Sequence, residues 1–174
     1  VAGDLALDLA NTIGWRGTLR EIDYLADADD IAAWARMVGL VEPSYTVPDA
    51  ARDALVADVH GLRAAIMDAG ATIATGSTPR GESMATIRDM AARSLEVASL
   101  NGAPATLTFA PDDRIVGPLA WAALDLLRGS ELDRLKQCPP NDCRWLFLDR
   151  TKNRSRRWCD MATCGNREKA RRSR

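Results

Sequence analysis

Apolar residues recur with a helical period over most of the first 133 positions. Asp27 and Asp30 precede Ile31, Trp34, Ala35 and Val38, which predicts a carboxylate-capped helix with one apolar stripe. Gly39 offers its stop, and Pro43 and Pro48 bracket the connection that follows. Thr46 and Asp49 resemble a capping pair, with Pro48 in the first turn where its missing N–H does no harm. Leu55, Val59, Leu62 and Ile66 then recur at spacings of four, three and four, the clearest helical face in the chain. Residues 70–81, GATIATGSTPRG, read as a connector. Ile87, Met90, Ala91, Ser94, Leu95 and Ala98 mark another amphipathic helix, ending near Asn101-Gly102. Alternation then predicts a short strand over residues 104–109, PATLTF. Asp112-Asp113 reads as a turn, and Arg114-Ile115-Val116 as the returning arm of a hairpin. Gly117-Pro118 opens a further helix whose Leu119, Ala122, Ala123, Leu126 and Leu127 face a core. It runs through Gly129-Ser130 or breaks there.

At 174 residues and 47 % hydrophobic content, the chain can build one moderate domain, or one domain with a small appendage. No apolar run approaches the ~18 residues of a membrane span, so no membrane partner is expected. The start, VAGDLALDLA, lacks a basic segment leading into an apolar one, and a cytoplasmic location is the expectation. Charge changes the picture more. The net charge of −1 conceals 10 Arg against 20 Asp or Glu in residues 1–133, and 13 Lys or Arg against 4 Asp or Glu in residues 134–174. The halves are therefore −10 and +9. So local a positive field suits a polyanion, an acidic protein surface, or docking onto the acidic first part.

Residues 1–133 hold no strong catalytic constellation. His60, the only histidine, lies within the Leu55–Ile66 face and reads as structural or surface. Asp4 and Asp8 are four apart and read as capping or solvated carboxylates. Asn11 and Thr12 are suited to local hydrogen bonds that tie down the start of the chain. Asp8, Asn11, Thr12 and His60 are the candidates for an N-terminal ligand or structural site. Trp15, Trp34 and Trp121 are expected in the core, with an exposed Trp15 beside Arg16 as the alternative.

All four cysteines fall in the last 37 residues, as two matching pairs with four residues inside each: Cys138 and Cys143, Cys159 and Cys164. Pro139-Pro140-Asn141-Asp142 suits a tight turn that brings two sulfurs to one ion. Trp145-Leu146-Phe147-Leu148 reads as an apolar strand. A second arm is expected to return through Arg157-Trp158 after a turn over residues 149–155, and a helix follows Cys164. Four thiolates fill a tetrahedron and leave no open position, so a structural Zn²⁺ is the reading. Iron fits the same ligands chemically, and disulfides would need an oxidising compartment of which the sequence gives no sign. Metal would supply much of this small unit's folding free energy, on the order of 10–16 kcal/mol for zinc-finger peptides. Chelation is then expected to unfold the tail far more readily than the helical part.

Arg150, Lys152, Arg154, Arg156 and Arg157 crowd the segment between the pairs, and Arg167, Lys169, Arg171, Arg172 and Arg174 follow the last cysteine. Such a group clamps phosphates with salt-sensitive affinity. Asn166 and Arg167 are the candidates for base contact, with Asn153 and Ser155 as further hydrogen-bonding groups. The bland alternative is a solvated face, with Asp149 or Asp160 tying some arginines into the small fold.

The run from Cys138 and Cys143 through Trp145-Leu146-Phe147-Leu148-Asp149, Lys152-Asn153, Ser155-Arg156-Arg157-Trp158-Cys159 and Met161 to Cys164-Gly165-Asn166-Arg167 resembles the CGNR zinc-finger family. Leu7-Asp8-Leu9-Ala10-Asn11-Thr12 is similar to the opening of the helical ABATE domain that precedes such fingers. The resemblance implies zinc ligation by Cys138, Cys143, Cys159 and Cys164, DNA binding by the basic surface, and a bacterial stress-induced transcription regulator. Asp160 departs from the family pattern, where a small hydroxyl residue is commoner, and adds a negative charge beside a ligand.

These readings combine into a mainly α fold with a short β-hairpin. A helical domain over residues 1–133 is followed by a treble-clef-like or ribbon-helix zinc module over residues 134–174. The expected function is a DNA-binding regulator, not an enzyme, acting on double-stranded DNA. A homodimer and an unknown small-molecule effector are compatible with it. The rivals are a protein-interaction adaptor with a basic finger, and an enzyme with an unrecognised pocket in the helical domain.

Overall fold

A computed structural model describes residues 3–172. Its elements run α1 (Leu5–Ala10), β1 (Ile13–Gly14), β2 (Ile22–Asp23), α2 (Ala28–Met37), α3 (Arg52–Ala74), α4 (Gly81–Glu96), β3 (Ser99–Asn101), β4 (Thr106–Thr108), α5 (Val116–Arg128), β5 (Leu135–Gln137), β6 (Leu146–Leu148) and α6 (Asn166–Arg172). Three two-stranded antiparallel hairpins, β1–β2, β3–β4 and β5–β6, decorate a helical body.

The caps explain where helices begin. Asp4 accepts from the Ala6 and Leu7 N–H groups at the start of α1. Asp27 accepts from Asp29 and Asp30 at the start of α2, while Asp30 reaches back to the Ala26 N–H at 3.1 Å. This reciprocal arrangement satisfies donors that a helix start leaves orphaned. Gly39, with φ +76°, closes the end of α2 in a conformation that favours glycine.

Five expectations need correction. Thr46 and Asp49 do not cap α3: a 3₁₀ turn over Asp49–Ala51, held by the Ala51 N–H on the Pro48 carbonyl at 2.9 Å, feeds directly into the helix. The connector begins only at Thr75, because α3 continues to Ala74. Gly70 is there a packing residue, since a Cβ would stand 2.5 Å from Leu146 Cδ1. Helix α4 ends at Glu96, and the strand at Thr106–Thr108 pairs with the segment before it, Ser99–Asn101. Gly102, at φ +86°, permits that turn, whereas Ile115 and Val116 are buried at the start of α5. Trp15, Trp34 and Trp121 are half-buried rather than core.

The main core is aliphatic, joining α1, α3, α4 and α5 through residues such as Leu7, Leu62, Ile66, Ile87 and Leu119. Leu135, Leu146 and Leu148 belong to this same cluster. Phe147 instead packs with the four cysteines. The period-two alternation of β6 thus sends Leu146 and Leu148 into the helical core and Phe147 into the cysteine cluster. One strand is a wall of both cores.

Candidate metal centre

The four sulfurs converge because each pair sits at a turn fixed by its own backbone. Cys138 follows β5, and Cys143 closes the Pro139–Asp142 turn with its N–H on the Pro140 carbonyl at 2.9 Å. Hairpin β5–β6 therefore carries the first pair at its tip, a ribbon followed by a helix. The expected second arm through Arg157-Trp158 forms no strand; the partner of β6 precedes the first cysteine. On the other side, Asp160 caps a single π turn over Met161–Gly165 by accepting from the Ala162 N–H at 2.7 Å. That turn runs directly into α6 and presents Cys164. Asp160 is thus a cap, a role a hydroxyl residue could share. Gly165 does not use the positive-φ conformation a tight turn would need; it sits in a crowded spot, where a Cβ would press on the flexible Met161 side chain and meet Trp158 at 3.2 Å.

Cys138, Cys143, Cys159 and Cys164 are all buried, and their sulfurs lie within 4.8 Å of one another. Cys143 and Cys159 are 3.5 Å apart, Cys159 and Cys164 3.6 Å. Four sulfurs at Zn–S distances of ~2.3 Å would be separated by about 3.8 Å, so the cage has the right scale. Without metal the cluster must share protons. Donation from the Cys143 and Cys159 thiols pulls Cys138 well down. The same contact with Cys138 pushes Cys143 and Cys159 up, and burial pushes Cys164 up. Four closely packed sulfurs cannot all be thiolate unless a cation offsets them, which is the chemistry of a structural zinc site. The Cys159 N–H points at Cys138 Sγ at 3.4 Å, and Arg167 Nη2 at Cys164 Sγ at 3.3 Å, supporting negative sulfurs. A bound zinc ion would supply a cross-link between the two turns and no open coordination position.

The basic connector is folded around a fully buried carboxylate. Asp149 accepts from Lys136 Nζ at 2.6 Å, Thr151 Oγ1 at 2.6 Å and the Arg156 N–H at 2.9 Å. Burial raises its pKa, but these donors outweigh burial and hold it below the ordinary carboxylate range. The Asp149 carboxylate therefore binds Lys136, Thr151 and the Arg156 backbone, while the Arg134 guanidinium donates to the Asp149 carbonyl at 3.1 Å. Arg156 lies over the Phe147 ring at 4.6 Å and bonds the Trp158 and Cys159 carbonyls, roofing the small core.

Contacts with the helical body are specific. The Asn11 side chain donates to the Leu146 carbonyl and accepts from the Leu146 N–H, both at 2.8 Å. Trp145 Nε1 donates to the Ile13 carbonyl at 2.8 Å, and Arg167 stacks on Trp15 at 4.6 Å. Asn11 therefore bonds across 135 residues rather than locally.

Family comparison agrees with this geometry. A model described as "Putative stress-induced transcription regulator", ABATE, matches residues 3–130, most of the chain. The chain belongs to the ABATE family. A second model, the CGNR zinc finger, matches residues 134–174. No curated protein matches the chain. ABATE membership and the four-sulfur cluster together make this a regulator built on a zinc module rather than an enzyme. Among the described residues, no helix is long and apolar enough to cross a membrane.

The other nominated residues separate into groups. Asp8, Asn11 and Thr12 line one cleft, whereas His60 stands apart with Nε2 2.7 Å from the Leu25 carbonyl. Arg150 meets Glu131 and the Gly3 carbonyl, and Arg154 meets Asp133. Arg167 and Arg171 both reach Asp142, and Arg172 meets Glu168. Lys152, Arg157, Asn166 and Lys169 are exposed; Arg174 lies outside the described residues. A buried ion pair went unnoticed in the sequence: Arg63 grips Asp23 at 2.5 and 2.6 Å and touches Thr12 Oγ1. Its position on α3 beside the Leu55–Ile66 face was the available signal.

Proposed function

We propose that this regulator binds duplex DNA through the exposed cations of its finger. The observation that carries the reading is the segregation of charge: residues 134–174 hold 13 Lys or Arg against 4 acids, while the preceding residues are net −10. Lys152 and Arg157 on the connector, with Lys169, Arg171 and Arg172 on α6, are exposed. A broad groove of about 700 Å³ along residues 155–161 has Ser155, Arg156 and Arg157 in its lining. The pair Arg154–Asp133 leaves about half of each side chain exposed, whereas Arg171 meets the largely buried Asp142 with half of its own side chain still exposed. A surface pair such as Arg154–Asp133 contributes about 0–1 kcal/mol, so Arg154 exchanges readily onto a phosphate. Arg167, stacked and bonded to a ligand sulfur, serves the architecture, and Asn166 is the candidate for base contact. The cytoplasmic location and a homodimer on paired half-sites are compatible with this reading.

Fluorescence anisotropy of the zinc-loaded chain on labelled duplex DNA tests it. Affinity should fall with salt at a slope of about −0.9 for each phosphate neutralised. Lys152→Glu with Arg157→Glu should weaken binding by at least about tenfold, and Asp142→Asn should strengthen it. No binding to duplex at low salt, or binding insensitive to salt, overturns the proposal.

A further inference from the structure

A cleft of about 480 Å³ opens between α1, α2 and the finger, within the size range of roughly 300–1,000 Å³ that holds small molecules. Tyr24, Trp34 and Trp145 give it three aromatic rings, and Met37 adds a polarisable thioether. Its only charged side chains are two carboxylates, Asp8 and Asp30. No Lys or Arg lines it, in a protein whose arginines crowd the neighbouring finger.

Several walls are held before any ligand arrives. Trp145 is pinned through Nε1 to the Ile13 carbonyl, and Asn11 is clamped at both ends of its amide to Leu146. Thr12 Oγ1 is committed to the Leu9 carbonyl at 2.7 Å. Asp30 gives Oδ2 to the Ala26 N–H of its helix cap while its side chain lines the cleft. By contrast, Met37 is 74 % exposed and Tyr24 50 % exposed, an unusual amount of soft apolar surface beside two carboxylates.

The composition selects the ligand. Carboxylates repel an anion, and a neutral apolar guest would gain nothing from them. A metal ion is no better suited: among the described residues only the four cysteines form a metal-sized cluster. Aromatic faces with a carboxylate rim attract a cation that is weakly hydrated and carries an apolar body. We propose that this cleft binds an organic ammonium ion. Trp145 comes from the finger strand, whereas Asp8 and Trp34 come from the helical body, so one occupant touches both. The proposal stands on the cleft alone and holds whether or not the finger contacts DNA.

The test uses the full zinc-loaded chain with benzyltrimethylammonium as probe and benzoate as its anionic counterpart. Calorimetry should show binding of the cation and none of benzoate. The ¹⁵N-edited indole spectrum resolves Trp15, Trp34, Trp121, Trp145 and Trp158, and the cation should move Trp34 and Trp145. Trp34→Ala and Asp8→Asn should each weaken binding by about tenfold, an effect of ~1.4 kcal/mol. Equal binding of benzoate, no binding of the cation at about 10 mM, or shifts confined to Trp15, Trp121 and Trp158 would overturn the assignment. The spectrum decides the matter even if either variant fails to fold.

Discussion

Asn11 shows how much a single side chain can hold. Its amide pairs with the Leu146 N–H and carbonyl like a neighbouring strand, where no strand exists. Both backbone groups are buried and have no water to fall back on. Asn11→Ala should therefore cost about 3 kcal/mol, the sum of two buried groups left unsatisfied, read from the urea midpoint of the zinc-loaded chain. A loss below about 1 kcal/mol would mean that solvent replaces the amide, against its burial. Asp149 holds the connector in a comparable way, through Lys136, Thr151 and the Arg156 backbone. Neither role was legible from sequence, because a side chain's choice between local and distant partners depends on what the fold brings beside it. Cys138, Cys143, Cys159 and Cys164 were legible, since paired thiols around short turns have few other structural uses.

At the scale of elements, sequence periodicity succeeded where one face was apolar. Helix α3 buries Val59, Leu62 and Ile66 as its spacing required, and Asp27 caps α2 as its position suggested. It failed where two elements compete for one partner. The strand at residues 106–108 could pair forwards or backwards, and the glycine turn before it decided the matter. Gly70 reads as the start of a connector because sequence cannot show Leu146 pressing on that surface. The continuous run Trp145-Leu146-Phe147-Leu148 reads from sequence as one apolar strand. Its division between two cores became visible only with α3 on one face and the cysteines on the other. Helix α6 was foreseen, but not what anchors it. Asp142, only 12 % exposed, receives both Arg167 and Arg171, tying α6 to the first cysteine turn.

The whole molecule differs most from its sequence reading in how its parts depend on one another. A basic tail and an acidic body suggested two modules with separate stabilities. The structure places Leu135, Leu146 and Leu148 in the helical core, and adds Asn11, Trp145 and Arg167 as polar or stacked links to it. Metal that fixes β5–β6 thereby fixes one wall of the larger core. That shared wall predicts that chelation costs the helical body stability as well as unfolding the tail. Thermal unfolding followed by far-UV circular dichroism, which reports chiefly on α3, α4 and α5, tests this directly. Removing stoichiometric zinc should lower the melting temperature of the helical signal itself, by about 6–12 °C for a loss near 3 kcal/mol. A helical melt unchanged after complete zinc removal would contradict the shared core.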